Sequence, residues 1–317
     1  MTGHPFTLRL PVVAAPMFLI SGPELVLASC EAGVIGSFPT PNCRTLDELD
    51  EWMTQITRRL DASRAAGRRP APWAANLVTH RTNARLKDDL ALVARHKPPL
   101  VITALGAPTP AVEMVKSYGG MIYADVGSIA LARKAAAAGV DGLALLTAGA
   151  GGHTGHLSPF AFVSAVREFF DGTIVLSGGI ADGAGIAGAI AAGADLIYMG
   201  TRFLASEESM APPAYKKMVV EHGVDDLIVS AAITGTSASW LRPSLVACGF
   251  DPDNLAPPAN GRDYDSSTTA SHKRWKDVWA AGQGMGVIHS VATVGQIVDD
   301  LETQYRAATA RFLRAAG

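Results

Sequence analysis

A glycine-rich loop with two histidines is the stretch of the chain best suited to chemistry. Residues 148–156 read Ala-Gly-Ala-Gly-Gly-His-Thr-Gly-His and directly follow an apolar run. Glycines let a loop lie close to a planar ring, and an imidazole, whose ordinary pKa is near 6.5, can transfer a proton at neutral pH. We therefore take His153 as the candidate catalytic residue. Plain hydrogen bonding is the competing role for His153 and also for His156.

Two clusters of small residues have the composition of a phosphate site. Ser177-Gly178-Gly179 ends one apolar run, and Gly200-Thr201 ends the next one. Small residues let backbone N–H groups approach phosphate oxygens closely, and a nearby helix N-terminus adds favourable partial charge. Barrel enzymes often bind phosphate at these two strand ends. Tight turns without a ligand are the alternative role for these glycines.

Three other positions are candidates for contact with a planar ligand. The turn at residues 14–17, Ala-Ala-Pro-Met, could present backbone groups to a ring or be a plain strand exit. Asn76 ends another apolar run and offers both a donor and an acceptor, although helix capping would use the same groups. The turn at residues 282–286, Gly-Gln-Gly-Met-Gly, could close over a ligand or be an ordinary loop.

The elements that must position these residues form a repeated pattern. Eight short apolar runs alternate with alanine-rich helical stretches, and runs that are apolar throughout are typical of buried parallel strands. Eight such units favour a closed (β/α)8 TIM barrel over an open doubly wound sheet. The predicted strands are residues 12–16, 34–38, 73–77, 100–105, 121–126, 142–148, 173–179 and 196–201.

The pattern breaks after the eighth predicted strand. Residues 206–276 contain proline pairs and a Gly/Thr/Ser stretch, and the segment is too long for a simple loop. We predict a small, mostly helical subdomain there, inserted at the barrel mouth and lining the substrate pocket, with residues 1–205 and 277–317 forming the barrel. Three tryptophans in or near the segment could line that pocket or form the subdomain's core: Trp240, Trp275 and Trp279.

Composition excludes several classes of protein. A formal net charge of −2 gives no basic patch for nucleic acid or an anionic membrane. The three cysteines are widely spaced, without metal-ligand or disulfide spacing, so no metal site is expected. The first residues lack the layout of a secretory signal, and no apolar run approaches the roughly 20 residues of a membrane span. We expect a cytoplasmic protein.

The motifs taken together resemble the nitronate monooxygenase family, formerly called 2-nitropropane dioxygenases. They are VVAAPM near the start, AGAGGHTG, SGGIADG, GADLIYMGTRFL and the late AGQG, in that order along nearly the whole chain. The resemblance implies a barrel that binds FMN and oxidises alkyl nitronates with O2 to a carbonyl compound and nitrite. It implies that His153 is the catalytic base or the electrostatic partner of the nitronate.

The resemblance also assigns residues to the cofactor. Those implied to contact the flavin are Ala15, Pro16, Met17, Asn76, Gly151 and Gly152. Those implied to hold its phosphate or complete the site are Ser177, Gly178, Gly179, Gly200, Thr201, Gln283 and Gly284. The partners we expect are a small-molecule substrate and O2, with a homodimer as the candidate assembly and neither nucleic acid nor a membrane.

Two positions depart from the family pattern. Many members have an acidic residue where this chain has Gly149, and Asp125 stands where relatives often have a basic or neutral polar group. If Asp125 faces the flavin's pyrimidine edge while ionised, it would oppose the negative charge of reduced flavin. Capping the helix predicted over residues 128–138 is the alternative role for Asp125.

Asp125 and the long insertion motivate a second function. The chain would then be an FMN-dependent reductase of an enone, enoyl thioester or quinone that takes electrons from NAD(P)H. A third alternative is a noncatalytic binder of a phosphate-containing ligand, in which His153 is only structural.

Overall fold

The computed structural model describes residues 4–255 and 275–316. In these residues, eight parallel strands close into a barrel in the order β1-β2-β3-β4-β5-β6-β8-β9, and β9 pairs with β1. The predicted (β/α)8 barrel is therefore confirmed. In chain order the strands, of which β7, β10 and β11 lie outside the barrel, are β1 (Val12–Ala14), β2 (Ile35–Pro39), β3 (Trp73–Val78), β4 (Leu100–Ala104), β5 (Met121–Val126), β6 (Gly142–Leu145), β7 (Gly152–His153), β8 (Thr173–Leu176), β9 (Leu196–Met199), β10 (Leu227–Ser230) and β11 (Ala238–Leu241).

Helices surround the barrel, and side chains at their first turns help to fix where they begin. Thr45, Ser128 and Asp182 each accept a backbone N–H at the start of a helix. The last helix packs along α7 and closes the ring. None of the helices in the described residues is long and apolar enough to cross a lipid bilayer. The helices are α1 (Pro23–Glu31), α2 (Leu46–Ala65), α3 (Leu86–His96), α4 (Thr109–Ser117), α5 (Ile129–Ala137), α6 (Pro159–Arg167), α7 (Gly183–Ala191), α8 (Thr201–Leu204), α9 (Pro213–Glu221), α10 (Arg242–Ala247) and α11 (Val294–Ala316).

The barrel wall is buried on both faces. Inside, Val13, Ile102 and Tyr123 belong to one packed cluster, while Val12 and Ile122 pack outward against the helices. This two-sided burial explains why the strands are apolar throughout instead of alternating. Strands β6, β8 and β9 end two to three residues earlier than predicted. The small residues beyond those ends form the loops at the barrel mouth.

The inserted segment, which we predicted to be mostly helical, also contains a small sheet. Its described part contains α9 and α10, but also β10 and β11, which form an antiparallel sheet with β7. Four-residue strands leave too little periodicity to separate them from loops in the sequence. Residues 256–274 of the predicted subdomain lie outside the described residues.

Candidate active site

Strand β7 links the glycine-rich loop that contains His153 to the insertion. His153 pairs with Ala238 and Gly152 pairs with Ser239, both on β11. Thr154 continues the connection, since its backbone N–H donates to the Ser237 carbonyl at 3.1 Å. The backbone of His153 is therefore fixed by a sheet that includes two strands of the insertion.

Aromatic side chains lie beside His153. The imidazole and the Trp275 indole meet edge to face, with ring centroids 5.1 Å apart. Trp275 in turn contacts Trp240, whose ring centroid is 4.6 Å away and whose side chain is fully buried. We call these two tryptophans the aromatic cover. Their types were visible in the sequence, but their position next to His153 was not.

The glycine-rich loop is tied to the two other glycine segments by backbone hydrogen bonds. The Gly149 carbonyl accepts the N–H of Gly179 at 3.1 Å and that of Gln283 at 2.9 Å. Gly149 has φ +91°, a value that favours glycine, and a Cβ there would lie 2.8 Å from the Gln283 side-chain oxygen. Glycine at position 149, where the chain departs from the family pattern, therefore suits both the positive φ and the close approach of Gln283.

The predicted phosphate residues lie around the same point. Gly178 has φ +110°, and a Cβ added there would overlap the Thr147 hydroxyl oxygen. A Cβ on Gly200 would approach the Ala15 Cβ at 3.8 Å and the Met17 sulfur at 3.6 Å. The ends of the first and last strands of the barrel are therefore neighbours, with ordinary van der Waals distances at Gly200.

Two hydroxyl residues of this group are already engaged. The Ser177 hydroxyl donates to the Leu145 carbonyl at 2.8 Å, and Thr201 Oγ1 accepts the Gly282 N–H at 2.9 Å. The Ser177 backbone N–H also donates to the Leu145 carbonyl, at 3.1 Å, so Ser177 has no free donor for a phosphate and would only shape the turn. Thr201 begins α8, which is one turn long. A phosphate would therefore be bound by individual backbone N–H groups rather than by a helix dipole.

The remaining predicted residues complete the group. Gly284 packs against Ala181, where an added Cβ would be 2.7 Å away, and Gly151 packs against Gly282 with a Cβ distance of 2.6 Å. Pro16 lies in the turn between Ala15 and Met17. We call the whole group the small-residue cradle; its members are Ala15, Pro16, Met17, Gly151, Gly152, Ser177, Gly178, Gly179, Gly200, Thr201, Gln283 and Gly284.

Residues that the sequence analysis missed hold this cradle in shape. Asn42 donates to the Met17 carbonyl at 3.1 Å and accepts the Leu19 N–H at 2.8 Å, while Ser21 Oγ accepts the Met17 N–H at 3.0 Å. Thr147 donates to the Ser177 carbonyl at 2.6 Å. Asn42 and Ser21 are buried polar side chains, but nothing in the sequence indicated which turn they would support.

Asn76 and Asp125 lie apart from the cradle glycines, on the inner face of the barrel wall. Asn76 Nδ2 is 3.5 Å from Asp125 Oδ2, and Asp125 Oδ1 is buried with no hydrogen-bond partner among the described residues. Burial raises the pKa of Asp125 to about 7, and the Asn76 amide opposes that rise. Helix capping is excluded as the role of Asp125, because the cap of α5 is Ser128.

These residues fit FMN. A Cβ at Gly151, Gly178 or Gly284 would overlap neighbouring atoms, and the cradle carries backbone N–H groups suited to a phosphate. The buried, unpartnered oxygen of Asp125 is a polar atom that a ring edge at the mouth would satisfy. Among the described residues, no cluster of histidine, cysteine or carboxylate side chains could hold a metal ion.

The structure is a closed (β/α)8 barrel with small residues after its last two strands, a scaffold in which many enzymes bind a phosphate at those strand ends. The chain belongs to the nitronate monooxygenase family, whose sequence profile matches residues 4–304.

Curated relatives carry two kinds of name. A nitronate monooxygenase from Paraburkholderia phytofirmans is 28% identical over 292 residues, which cover 81% of this chain and 80% of that protein. A Mycobacterium tuberculosis protein named (3aS,4S,5R,7aS)-5-hydroxy-7a-methyl-1-oxo-octahydro-1H-indene-4-carboxyl-CoA dehydrogenase is 30% identical over 239 residues, 74% of this chain. The chain spans 64% of the length of that dehydrogenase.

Solved structures share the whole fold. FabK from Thermotoga maritima has a TM-score of 0.77 at 25% identity, covering 98% of this chain and 96% of FabK. A nitroalkane oxidase from Streptomyces ansochromogenes has a TM-score of 0.79 at 22% identity, covering 96% and 98% of the two chains. At that lower identity the likeness concerns the fold.

Proposed function

We propose that this chain binds FMN at the barrel mouth and oxidises alkyl nitronates with O2 to a carbonyl compound and nitrite. The observation that carries the proposal is the position of His153: strand β7 fixes it directly beside the small-residue cradle and under the aromatic cover. Membership of the nitronate monooxygenase family supports the choice of reaction.

The proposed FMN site divides the cofactor between two parts of the barrel mouth. Backbone N–H groups of Gly178, Gly200 and Thr201 would hold the phosphate. Asn76 and Asp125 would face the polar edge of the ring, and Gln283 would close the site. When bound, FMN supplies the electron acceptor for the oxidation.

His153 would act on the charge and the proton of the substrate. A nitronate is an anion, so a protonated imidazole would attract it, and a neutral imidazole would accept the α-proton of the parent nitroalkane. Trp275 restricts access of water to one edge of the imidazole, because its indole ring packs there. A site partly closed to water strengthens such electrostatic contacts.

The surrounding assignments are part of the same proposal. The segment 206–276 would line the substrate pocket through the aromatic cover, although residues 256–274 lie outside the described structure. We propose a small-molecule substrate, O2 as the second reactant, a cytoplasmic location and a homodimer. The formal net charge of −2 is consistent with a small-molecule substrate rather than a nucleic-acid or membrane partner.

The alternative is an FMN-dependent reductase of an enoyl, enone or quinone substrate that uses NAD(P)H. The likeness to a CoA-thioester dehydrogenase at 30% identity keeps this alternative open. Asp125 argues for it less than the sequence indicated. A carboxyl with a pKa of about 7 is partly neutral at neutral pH and then does not oppose reduced flavin.

Anaerobic absorbance of the purified, FMN-loaded protein separates the two activities. The protein is mixed in one cuvette with propyl-2-nitronate and in another with NADH or NADPH. We expect the nitronate alone to change the flavin spectrum and nitrite to appear once O2 is admitted. Full bleaching by the nicotinamide, with no response to the nitronate, would replace the proposal with the reductase.

A further inference from the structure

Asp125 is an unusual residue to find inside a barrel wall. It lies on β5 two residues after Tyr123, which belongs to the packed cluster inside the barrel, so its side chain faces inward at the carboxyl end. Its Oδ1 is buried without a partner among the described residues, and its Oδ2 has only the long contact with Asn76. The residue as a whole is only partly buried, but a carboxyl oxygen that is buried and unpartnered among the described residues points to a ligand that covers it.

No positively charged side chain of residues 4–255 and 275–316 compensates this acid. Among the described residues, no salt bridge joins Asp125, and no nearby charge contributes to its pKa. On the neighbouring strand β6 the residue paired with Asp125 is the apolar Ala144. A carboxylate in such surroundings is unfavourable, so the neutral acid is the form that burial favours.

Two tyrosines, Tyr123 and Tyr198, are further titratable groups on this inner face. Tyr198 of β9 faces Asp125, and its hydroxyl is also buried without a partner in the described part of the chain. Burial raises the pKa of Tyr198 well above its ordinary range, so it stays neutral. The Tyr123 hydroxyl lies near Thr173, at the amino end of the barrel. Of these three side chains, Asp125 is therefore the one whose pKa lies near neutral pH.

We propose that Asp125 binds the pyrimidine edge of FMN as a neutral acid, donating a hydrogen bond, and that loss of its proton releases the flavin. This inference rests on the proposed FMN site. At the flavin edge N1 and the two carbonyl oxygens accept hydrogen bonds, while N3–H donates one. A protonated carboxyl is a donor, and we place it against N1 and the C2 carbonyl. An ionised carboxyl would instead place a lone pair and a charge against those acceptors.

The coupling between protonation of Asp125 and FMN binding fixes the direction in which FMN affinity changes with pH. Binding through the neutral form, together with burial under the ring, raises the pKa of Asp125 further in the complex. FMN affinity is then constant at low pH and falls as the pH rises through the value in the free protein, about 7. A tenfold loss per pH unit is the limiting slope, which gives about a tenfold higher Kd at pH 8 than at pH 6.

The test is a titration of the full-length, flavin-free chain with FMN between pH 6 and pH 9, followed by quenching of flavin fluorescence. Asp125→Asn is the matched variant, because the amide keeps the shape and the donor but cannot ionise. We expect the Kd of the unaltered chain to rise about tenfold from pH 6 to pH 8, and that of the variant to change less than about twofold.

Riboflavin provides the second arm of the experiment. The FMN phosphate titrates near pH 6, whereas riboflavin has no phosphate, so a pH dependence that persists with riboflavin belongs to the protein. Equal pH dependence in the unaltered chain and the variant, or a Kd that falls with rising pH, would overturn the role of Asp125 while leaving the FMN site intact. Failure of the unaltered chain to bind FMN at any pH would overturn both.

Discussion

The small-residue cradle and the aromatic cover lie at the same end of the barrel but are built in opposite ways. The cradle is made of backbone, and a Cβ at Gly151, Gly178 or Gly284 would meet other atoms within 3 Å. The cover is made of large side chains, with Trp275 beside His153 and Trp240 behind it. The cradle would contact a ligand through backbone groups, which nearly all residue types share. The cover would do so through indole side chains, which only tryptophan has.

The difference teaches which part of the site sets which property. Backbone N–H groups recognise a phosphate whatever the rest of the molecule is, so the cradle suits a cofactor common to a whole family. Side chains on an inserted sheet can change without disturbing the barrel. We therefore expect changes in the cradle to act on cofactor binding, and changes in the cover to act on turnover and substrate choice.

The largest effect is expected from Gly178→Ala. The new Cβ would overlap Thr147 Oγ1 at a φ of +110°, so the variant should lose most of its bound FMN and lower the free energy of unfolding by roughly 2–4 kcal/mol. Flavin content from absorbance and denaturant unfolding measure both. Gly188→Ala in α7 is the control, since a Cβ there meets no atom within 4 Å. Full flavin content in Gly178→Ala would contradict the proposal that FMN binding depends on the close backbone approach at Gly178.

His153→Asn tests the other side of the comparison. Loss of the imidazole should lower kcat for a nitronate by about 100-fold or more, the range typical of a general acid or base, while FMN content stays unchanged. Steady-state nitrite release measures kcat. His156→Asn, at an exposed position three residues later, should keep the rate within about twofold. An unchanged rate in His153→Asn would remove this residue from the mechanism.

Asp125→Asn probes the titratable side chain predicted for the cofactor site. Its pKa is raised from an ordinary value near 4 to about 7, so the folded chain loses stability as the pH rises between those values and no more above them. The variant lacks this loss, and at pH 8 its flavin-free form should be more stable by roughly 2–4 kcal/mol. Urea unfolding at pH 5 and pH 8 checks this. Parallel pH profiles for both chains would show that the acid is ionised when folded.

The smallest effect is expected from Trp275→Phe. Phenylalanine keeps an aromatic contact with His153 but leaves part of the indole's place open, so kcat/KM should fall by about threefold to tenfold, with flavin content unchanged. Comparing short and long nitronates would show whether the space is used by substrate. Trp279→Phe is the control, because Trp279 stacks on Tyr215. A loss of flavin in Trp275→Phe would show that the aromatic cover also contributes to cofactor binding.

Local pattern was enough to predict the barrel and the cradle. Buried parallel strands are apolar throughout, so each of the eight could be found without knowing its neighbours. Glycine clusters after the last barrel strands indicate close backbone approach, and in the structure the Gly149 carbonyl accepts the N–H groups of Gly179 and Gln283. That the clusters bind a phosphate stays a prediction. These features depend on residue type along a short stretch of chain.

What only the tertiary structure decided are contacts between distant segments. Strand β7 is two residues long and exists because β11 pairs with it. Trp275 reaches His153 only when the insertion folds back over the barrel, and the raised pKa of Asp125 follows from the closure of the barrel around it. Burial and pairing of this kind are set by which segments meet in space, and no local sequence pattern records that.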